Sequence, residues 1–245
     1  MNIEYHKKWS RSLNKDMEFK VFGHAGIPAV VFPSGCGRYY EFEDFGMVEA
    51  ASWFIDAGKL QLFTIDSVDC EAWMAHWMFA GDRGWRHLQY ERYVLDELLP
   101  FIRDYSGYSG RLMATGCSMG AYHAANFFFK HPDTFGTLIA LSGLYGPQNF
   151  VGEYMDDNVY FNFPLCYLPN LTDPWYLEQL RDSDITICVG QGEWEEDSLR
   201  ETRALEADLH SLGVHAWVDY WGFNVSHDWP WWRKQFRYFL GELNL

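Results

Sequence analysis

Residues 111–120 read Arg-Leu-Met-Ala-Thr-Gly-Cys-Ser-Met-Gly, and this stretch decides the fold. Its first half is an apolar run suited to a buried strand, and the residues that follow it, 121–130, predict a helix. Between them, Gly116 and Gly120 leave space on either side of Ser118, so that the chain can turn sharply there. A strand that passes through such a turn into a helix predicts an α/β fold with the serine hydroxyl exposed above the sheet.

Ser118 is a candidate nucleophile. Gly-x-Ser-x-Gly alone is weak evidence, because a chain of this length contains one by chance about one time in ten. The setting between a strand and a helix is far less common, and it places the backbone N–H of Met119 at a helix N-terminus, where it can donate to a developing oxyanion. We therefore expect Ser118 to attack a substrate and Met119 to supply one donor of an oxyanion hole.

The chain on both sides of this unit alternates apolar strands with amphipathic helices. Strands are predicted at residues 16–23, 28–33, 60–66, 111–115, 137–141, 185–189 and 215–220, and helices at 45–57, 85–105, 121–130, 198–212 and 230–240. Such alternation indicates a mostly parallel sheet that is covered on both faces. We expect one domain over residues 1–245, in which the irregular, aromatic-rich segment 142–171 forms a cap-like insert over the cleft.

A serine hydroxyl needs a base before it can act as a nucleophile. His227 follows the last predicted strand and precedes the last predicted helix, within Ser-His-Asp-Trp-Pro-Trp-Trp at residues 226–232. Most lone histidines near a helix start are surface residues, but this one comes in the place and chain order expected of the base. We expect His227 to accept the Ser118 proton.

A carboxylate after the preceding strand would complete the group by accepting a hydrogen bond from the histidine ring. Four acidic residues follow the strand at 185–189, namely Glu193, Glu195, Glu196 and Asp197. The last two suit the N-terminus of the next predicted helix, where negative charge interacts favourably with the helix dipole. Spacing does not decide whether Glu193 or Glu195 is the acid.

These motifs resemble those of the putative-esterase branch of the α/β-hydrolases, which includes esterase D-like, feruloyl and enterochelin esterases and the mycolyltransferases. The resemblance runs from about Asp16 to the C-terminal helix, and it is strongest at residues 116–120 and in the motif His-Asp-Trp-Pro-x-Trp at 227–232. It implies an α/β-hydrolase fold. It also implies a serine hydrolase that cleaves carboxylic esters with a Ser-His-Glu triad, through an acyl-enzyme.

The resemblance also bears on two undecided groups. In the closest relatives the acidic segment is Gly-x-Gly-x-Trp-Glu, which implies Glu195 as the triad acid, whereas the acid of the feruloyl esterases aligns better with Glu193. The second oxyanion donor of the family comes from the loop after the third strand, often behind a His-Gly pair. Pro-Ser at 33–34 occupies that place here, which implies Gly35 as the donor, with Cys36 in reserve.

Composition and charge exclude several partners. Nineteen basic and thirty-four acidic residues give a net charge of −15, which repels nucleic acid and anionic lipid. The N-terminus lacks the apolar core of a signal peptide, and no stretch approaches the ~18 apolar residues that span a bilayer, so we expect a cytoplasmic protein without membrane contact. The five cysteines are widely spaced in mostly apolar runs, which favours buried free thiols.

The sequence contains no complete motif for a cofactor or a metal. Gly-Gln-Gly at 190–192 lacks the third glycine of a dinucleotide site, and neither a Gly-Lys-Ser/Thr motif nor a His-Glu-x-x-His or paired-cysteine metal site occurs. We therefore expect no cofactor and no metal. The expected partner is a small-molecule ester, and the aromatic segment favours a short acyl or aryl group. A homo-oligomer is compatible with the sequence.

Other conspicuous side chains are expected to pack. His123 lies five residues after Ser118 on the predicted helix, and Trp73, His76 and Trp77 have the spacing of one helical face. Both patterns are more common in packed interiors than in active sites. We do not include these residues in the candidate site.

Two other functions suit the same fold. One is acyl transfer to an acceptor other than water, as in the mycolyltransferases that the chain resembles, and the other is a binding module without catalysis. Loss of a triad residue would favour the binding module, but Ser118, His227 and a choice of acids are all present. Hydrolysis is therefore the leading hypothesis.

Overall fold

The computed structural model describes residues 1–243. These residues form a sheet of eight strands. In chain order the strands are β1 (Ile3–Ser10), β2 (Lys15–Phe22), β3 (Ile27–Phe32), β4 (Leu60–Ile65), β5 (Leu112–Cys117), β6 (Phe135–Leu141), β7 (Asp184–Val189) and β8 (Trp217–Tyr220). Their order across the sheet is β1-β2-β4-β3-β5-β6-β7-β8. Strands β3 to β8 pair in parallel, whereas β2 pairs antiparallel with both β1 and β4.

Helices cover both faces of the sheet. They are α1 (Glu41–Asp44), α2 (Met47–Ala50), α3 (Ser52–Asp56), α4 (Ala80–Arg92), α5 (Leu99–Ser106), α6 (Met119–Lys130), α7 (Gln148–Val151), α8 (Asp157–Tyr160), α9 (Pro164–Tyr167), α10 (Pro174–Arg181), α11 (Glu196–Ser211) and α12 (Trp229–Glu242). Helices α4, α5, α6 and α11 pack on one buried apolar cluster, and α1, α2, α3 and α12 pack on another. The predicted mostly parallel, doubly covered sheet is therefore confirmed. Within residues 1–243, no helix has both the length and the apolar character needed to cross a membrane.

The central strand β5 is buried on both faces. Leu112 and Ala114 pack into the cluster beneath α6, whereas Met113 and Cys117 pack into the cluster beneath α12. Because side chains of a strand alternate between faces, both sets must be apolar, and the strand becomes a continuous apolar run. The sheet thereby holds the turn at 116–120 at the middle of its carboxyl edge.

Strand β1 is not predicted from the sequence. It is exposed along almost its whole length and includes Lys7 and Lys8, so it shows neither the apolar run nor the alternation that marks a buried strand. It pairs antiparallel with β2, with Ile3 opposite Phe22. The N-terminal residues therefore form an edge strand, where charged side chains are common.

The helix predicted at 85–105 begins earlier and is not regular. It starts as α4 at Ala80, becomes a π-helical segment over Tyr93–Leu98, and continues as α5. Pro100 has no N–H to donate to the preceding turn, and a gap of this kind in the hydrogen-bond ladder is consistent with a local change of helix type. The helix predicted at 45–57 is likewise divided, into α2 and α3.

Residues 142–171 are more ordered than the sequence indicates, because they form α7, α8, α9 and a 3₁₀ turn. Phe150 and Phe163 pack against Tyr122 of α6, with ring centroids 5.7 and 5.1 Å from it. The Tyr122 hydroxyl donates to the Asn162 carbonyl at 2.9 Å. The segment is therefore fixed to α6, and its role as a cap over the cleft stays a prediction.

The expectation of five free thiols is wrong for two of them. Cys36, after β3, and Cys70, after β4, form a disulfide with Cα atoms 5.3 Å apart, and both residues are exposed. Strands β3 and β4 are parallel neighbours, so the loops at their carboxyl ends meet, although 34 positions separate the cysteines in the chain. Connectivity of this kind cannot be deduced from spacing. Cys117 and Cys188 are buried free thiols, and Cys166 is a half-buried one.

Candidate active site

Ser118 lies in a strained turn between β5 and α6. Its φ of 56° and ψ of −120° lie in a part of the map that L-residues seldom adopt. The turn has no room for side chains nearby: a Cβ on Gly116 would lie 2.4 Å from the Gly120 carbonyl carbon, and one on Gly120 would lie 2.2 Å from the Phe32 carbonyl oxygen. Both glycines are therefore required by backbone packing. The turn holds Ser118 half-buried at the carboxyl edge of the sheet.

His227 contacts Ser118 and a carboxylate through its two ring nitrogens. Nε2 lies 2.9 Å from Ser118 Oγ, and Nδ1 lies 3.1 Å from Glu195 Oε2. Two more contacts fix the residue: its N–H donates to the Glu193 carbonyl at 3.0 Å, and the Trp232 indole packs edge-to-face on the imidazole, with ring centroids 4.9 Å apart. The fold thus brings together the predicted nucleophile and the predicted base, which are 109 positions apart.

The loop before α12 has a short sequence that sets the place of His227. Asp228 caps the helix by accepting the Trp229 N–H at 2.7 Å, and Pro230 occupies the first turn, where no N–H is needed. The start of α12 is therefore fixed by the residues next to His227. Local sequence determines where the backbone of the histidine lies.

Glu195 supplies the carboxylate that faces His227. It is 1% exposed, and its two oxygens have different partners. Oε2 faces the imidazole, while Oε1 accepts the Ser142 hydroxyl at 2.6 Å and the Gly190 N–H at 3.4 Å. The acid is thus oriented by groups from the ends of β6 and β7.

The other acidic residues of this segment point elsewhere. Glu193 is exposed, and it contacts His227 only through its main-chain carbonyl. Trp194 has a φ of 68°, and this left-handed residue turns the chain so that the glutamates on either side of it do not share a face. Glu196 and Asp197 lie in the first turn of α11, as predicted.

Two candidate oxyanion donors lie side by side near Ser118. The N–H groups of Met119 and Gly35 have no acceptor among residues 1–243, and neither does that of Cys36. Met119 is the first residue of α6, so its N–H points out of the helix, and a Cβ built on Gly35 would lie 3.8 Å from the Met119 Cβ. The Gly37 N–H donates to the Ser34 carbonyl at 2.8 Å, which leaves Gly35 and Cys36 at the tip of the loop. The choice of Gly35 over Cys36 stays a prediction.

Glu41 of α1 holds the loop that contains Gly35. Its carboxylate accepts the Ser34 N–H at 2.8 Å and the Ser34 hydroxyl at 2.7 Å. Burial raises the pKa of Glu41, and the two hydrogen bonds from Ser34 oppose this effect without cancelling it. A Cβ on Gly37 would lie 2.6 Å from the Glu41 oxygens, so glycine at this position lets the loop close on the carboxylate.

Glu41→Ala is expected to lower kcat for p-nitrophenyl acetate by about tenfold, because the loop loses both contacts to Ser34 and the candidate oxyanion donor Gly35 loses its fixed position. Glu41→Gln should stay within about threefold, because the amide can accept from the Ser34 N–H and donate to the Ser34 hydroxyl. A neutral side chain also suits a site where burial raises the pKa of the carboxyl. Steady-state kinetics of both variants near neutral pH test this, and equal losses would mean that the negative charge matters rather than the two contacts.

The side chains expected to pack lie outside this group. His123 Nε2 lies 2.7 Å from Asp69 Oδ1 with both residues buried, and Trp73 is fully buried. His76 and Trp77 are exposed, so the predicted stripe does not form one packed face. In the described part of the chain, no group of three or more His, Cys, Asp or Glu side chains could hold a metal ion.

Ser142 is the part of the site that is not predicted from the sequence. It directly follows β6, which lies beside β5 in the sheet. The carboxyl ends of neighbouring parallel strands meet at one edge, which is where ligands bind in α/β folds. A polar residue immediately after the predicted strand at 137–141 was the available signal.

Comparisons with known proteins agree with this architecture. The sequence model of a family described as "Putative esterase" matches residues 10–243, and no curated protein matches the chain. A ferulic acid esterase superposes with a TM-score of 0.77 at 16% identity, over 98% of this chain and 96% of that one. MPT51 (FbpC1) of Mycobacterium tuberculosis gives 0.75 at 15% identity, over 99% and 97%.

An S-formylglutathione hydrolase from Agrobacterium tumefaciens is a third similar structure. It gives a TM-score of 0.72 at 17% identity, over 98% of this chain and 93% of that one. At such identities the likeness shows the fold. The α/β-hydrolase fold predicted from the sequence is confirmed.

Proposed function

Because the chain belongs to the putative esterase family and is by that membership a carboxylic ester hydrolase, we propose that Ser118, His227 and Glu195 form its catalytic triad. The observation that carries the proposal is the position of His227, whose ring nitrogens lie 2.9 Å from Ser118 Oγ and 3.1 Å from Glu195 Oε2. A histidine that bridges a serine and a carboxylate can remove the serine proton while the acid holds its ring. The resemblance drawn from the motifs is confirmed by the family match.

In the proposed reaction, the Nδ1–H of His227 donates to Glu195, which leaves Nε2 free to accept the Ser118 proton. The Ser118 oxygen attacks the ester carbonyl, and the N–H groups of Met119 and Gly35 stabilise the oxyanion. The imidazolium then protonates the leaving alcohol, and the acyl group stays on Ser118. Water, deprotonated by His227, releases the acid and restores the serine.

We propose a short acyl or aryl ester as the substrate class. Met119, next to Ser118, belongs to a buried cluster that includes Trp73, Tyr122 and Phe163. These aromatic side chains pack against one another, so they limit the space on this side of the nucleophile. The similarity to a ferulic acid esterase favours an aromatic acyl group.

The cytoplasmic location expected from the sequence stays a prediction, as do the absence of nucleic-acid and membrane partners and the oligomeric state. The disulfide between Cys36 and Cys70 weighs against the cytoplasm. Both residues are exposed, so the thiols of a reducing compartment would reach the bond. Disulfides of this kind are rare in cytosolic proteins.

A fluorophosphonate probe tests the proposed function. Such a probe reacts with a serine that a base activates, so we expect one label per chain, on the peptide that contains Ser118. In the pre-steady state, p-nitrophenyl acetate should give a burst of p-nitrophenol about equal to the enzyme concentration if deacylation is the slower step.

Two other outcomes would favour the alternatives. A folded protein that takes no label and releases no p-nitrophenol would contradict catalysis and support the binding module. A labelled protein that transfers the acetyl group to an added alcohol much faster than to water would support acyl transfer. Product analysis by mass spectrometry separates these cases.

A further inference from the structure

Ser142 connects the end of β6 with Glu195. It is fully buried, and its φ of 57° lies in the left-handed region, where the chain leaves the strand. Its N–H donates to the Cys188 carbonyl at 2.8 Å, and its carbonyl accepts the Ser198 hydroxyl at 3.2 Å. Because its main chain is held from both sides, the direction of its side chain is fixed by the sheet.

The hydrogen bonds around the Ser142 hydroxyl can run in only one direction. Trp232 Nε1 lies 3.0 Å from Ser142 Oγ, and an indole nitrogen is only a donor. Ser142 Oγ therefore accepts this bond, and its own proton remains for Glu195 Oε1 at 2.6 Å. An ionised carboxylate is only an acceptor, so the two groups match.

The same matching of donors with acceptors continues from Glu195 through His227 to Ser118. Glu195 Oε2 lies 3.1 Å from His227 Nδ1, so it can accept an Nδ1–H, and in a neutral imidazole that arrangement leaves Nε2 without a proton. Nε2 can then accept the Ser118 hydroxyl at 2.9 Å. The Trp232 N–H can only donate, so the hydrogen bonds from Trp232 through Ser142 and Glu195 have a fixed direction. This direction agrees with the transfer of the Ser118 proton to His227.

We propose that Ser142 is a positioning residue, whose hydroxyl fixes the carboxylate of Glu195 in the orientation that His227 needs. Without this hydroxyl, Oε1 keeps only the Gly190 N–H at 3.4 Å, which is longer than an ordinary N–H···O bond. A carboxylate held by one weak donor turns more freely, and the imidazole that it orients turns with it. This role depends on the proposed function, because the orientation of Glu195 matters to the rate only if His227 is the base.

Trp232 supports the same group in two separable ways. Its N–H donates to Ser142, and its ring packs edge-to-face on His227 with an interplanar angle of 84°. Phenylalanine would keep an aromatic ring at this position and lose the N–H. Trp232→Phe therefore weakens the hydrogen-bond chain while Ser142 keeps its hydroxyl.

The test is a double-mutant cycle on kcat for p-nitrophenyl acetate. We expect Ser142→Ala to lower kcat about 10- to 30-fold with KM unchanged, because the lost contact orients a group rather than binding substrate. In a Glu195→Ala background, the same substitution should change kcat by less than about twofold, since its effect passes through Glu195 alone. Trp232→Phe should lower kcat by about threefold.

Thr115→Val is a matched control. It removes another buried hydroxyl of the same sheet, which donates to the Ile139 carbonyl at 2.8 Å, and the replacement has a similar shape. We expect kcat to stay within about twofold of the wild type. If Ser142→Ala does not fold, Ser142→Gly replaces it in the cycle, because glycine adopts the left-handed backbone without strain.

Two results would overturn the proposal: an unchanged kcat in the Ser142 variant, or an equal loss of kcat with and without Glu195. The second would show that Ser142 acts on folding or on another group. A failure of the proposed function looks different, because Ser118→Ala would then retain full activity whatever the Ser142 variant does. Melting temperatures of all variants accompany the kinetics.

Discussion

Ser118→Ala is expected to lower kcat/KM for p-nitrophenyl acetate by about 10⁵-fold, a loss of about 7 kcal/mol of transition-state stabilisation. The substitution removes the oxygen that we propose attacks the ester and that lies 2.9 Å from His227 Nε2. Alanine keeps the Cβ, so the backbone at a φ of 56° is strained as in the wild type and the fold should persist. Some hydrolysis above the rate in water should remain, because the proposed oxyanion donors are still present to stabilise the transition state.

Steady-state hydrolysis and thermal unfolding, measured on the same samples, check this expectation. Ser211→Ala is the matched control, because its hydroxyl lies at the exposed end of α11 and donates to the Asp208 carbonyl at 2.8 Å. It should leave kcat/KM unchanged. Equal rates for Ser118→Ala and the wild type would mean that Ser118 is not the nucleophile.

Glu195→Gln is expected to lower kcat by about 10³- to 10⁴-fold. Both oxygens of Glu195 accept hydrogen bonds, Oε1 from Ser142 and Oε2 from His227. An amide has only one acceptor oxygen, so in either orientation its NH₂ group opposes a donor. If the NH₂ group faces His227, the imidazole adopts the tautomer with its proton on Nε2. That tautomer cannot accept the Ser118 proton.

Glu193→Gln is the matched control for this substitution, since it makes the same isosteric change two positions away. The Glu193 side chain is exposed, and only its main-chain carbonyl contacts His227. We expect kcat within about twofold of the wild type. A large loss of kcat in Glu193→Gln and a small one in Glu195→Gln would contradict Glu195 as the acid. It would support Glu193, which the alignment with the feruloyl esterases implies.

The sequence is enough to locate Ser118 and His227 in the fold, because each lies at a junction between elements that strong local signals define. The turn at Ser118 requires glycine at 116 and 120 on steric grounds, and Asp228 and Pro230 mark the start of the helix behind His227. These constraints act over a few residues, so they are visible without the fold. The alternation of strands and helices predicts the parallel sheet for the same reason.

The remaining parts of the site depend on contacts between distant segments. Two glutamates on either side of Trp194 cannot be told apart by spacing, because the left-handed backbone of that residue decides which one turns inward. The contact of Ser142 with Glu195 and the pairing of Cys36 with Cys70 arise from neighbouring strands of the sheet. Strand order, rather than any local pattern, creates them.

The bond between Cys36 and Cys70 makes the loop of Gly35 part of a covalent ring that closes over 34 positions and includes β4. Both cysteines are exposed, so a dithiol added to a lysate or an assay buffer can open the ring by exchange. Two preparations of identical sequence can then differ in the mobility of the loop that packs beside Met119 and Ser118. The expression host and the thiol content of the buffer therefore become variables of the kinetics, to be held constant before any two variants are compared.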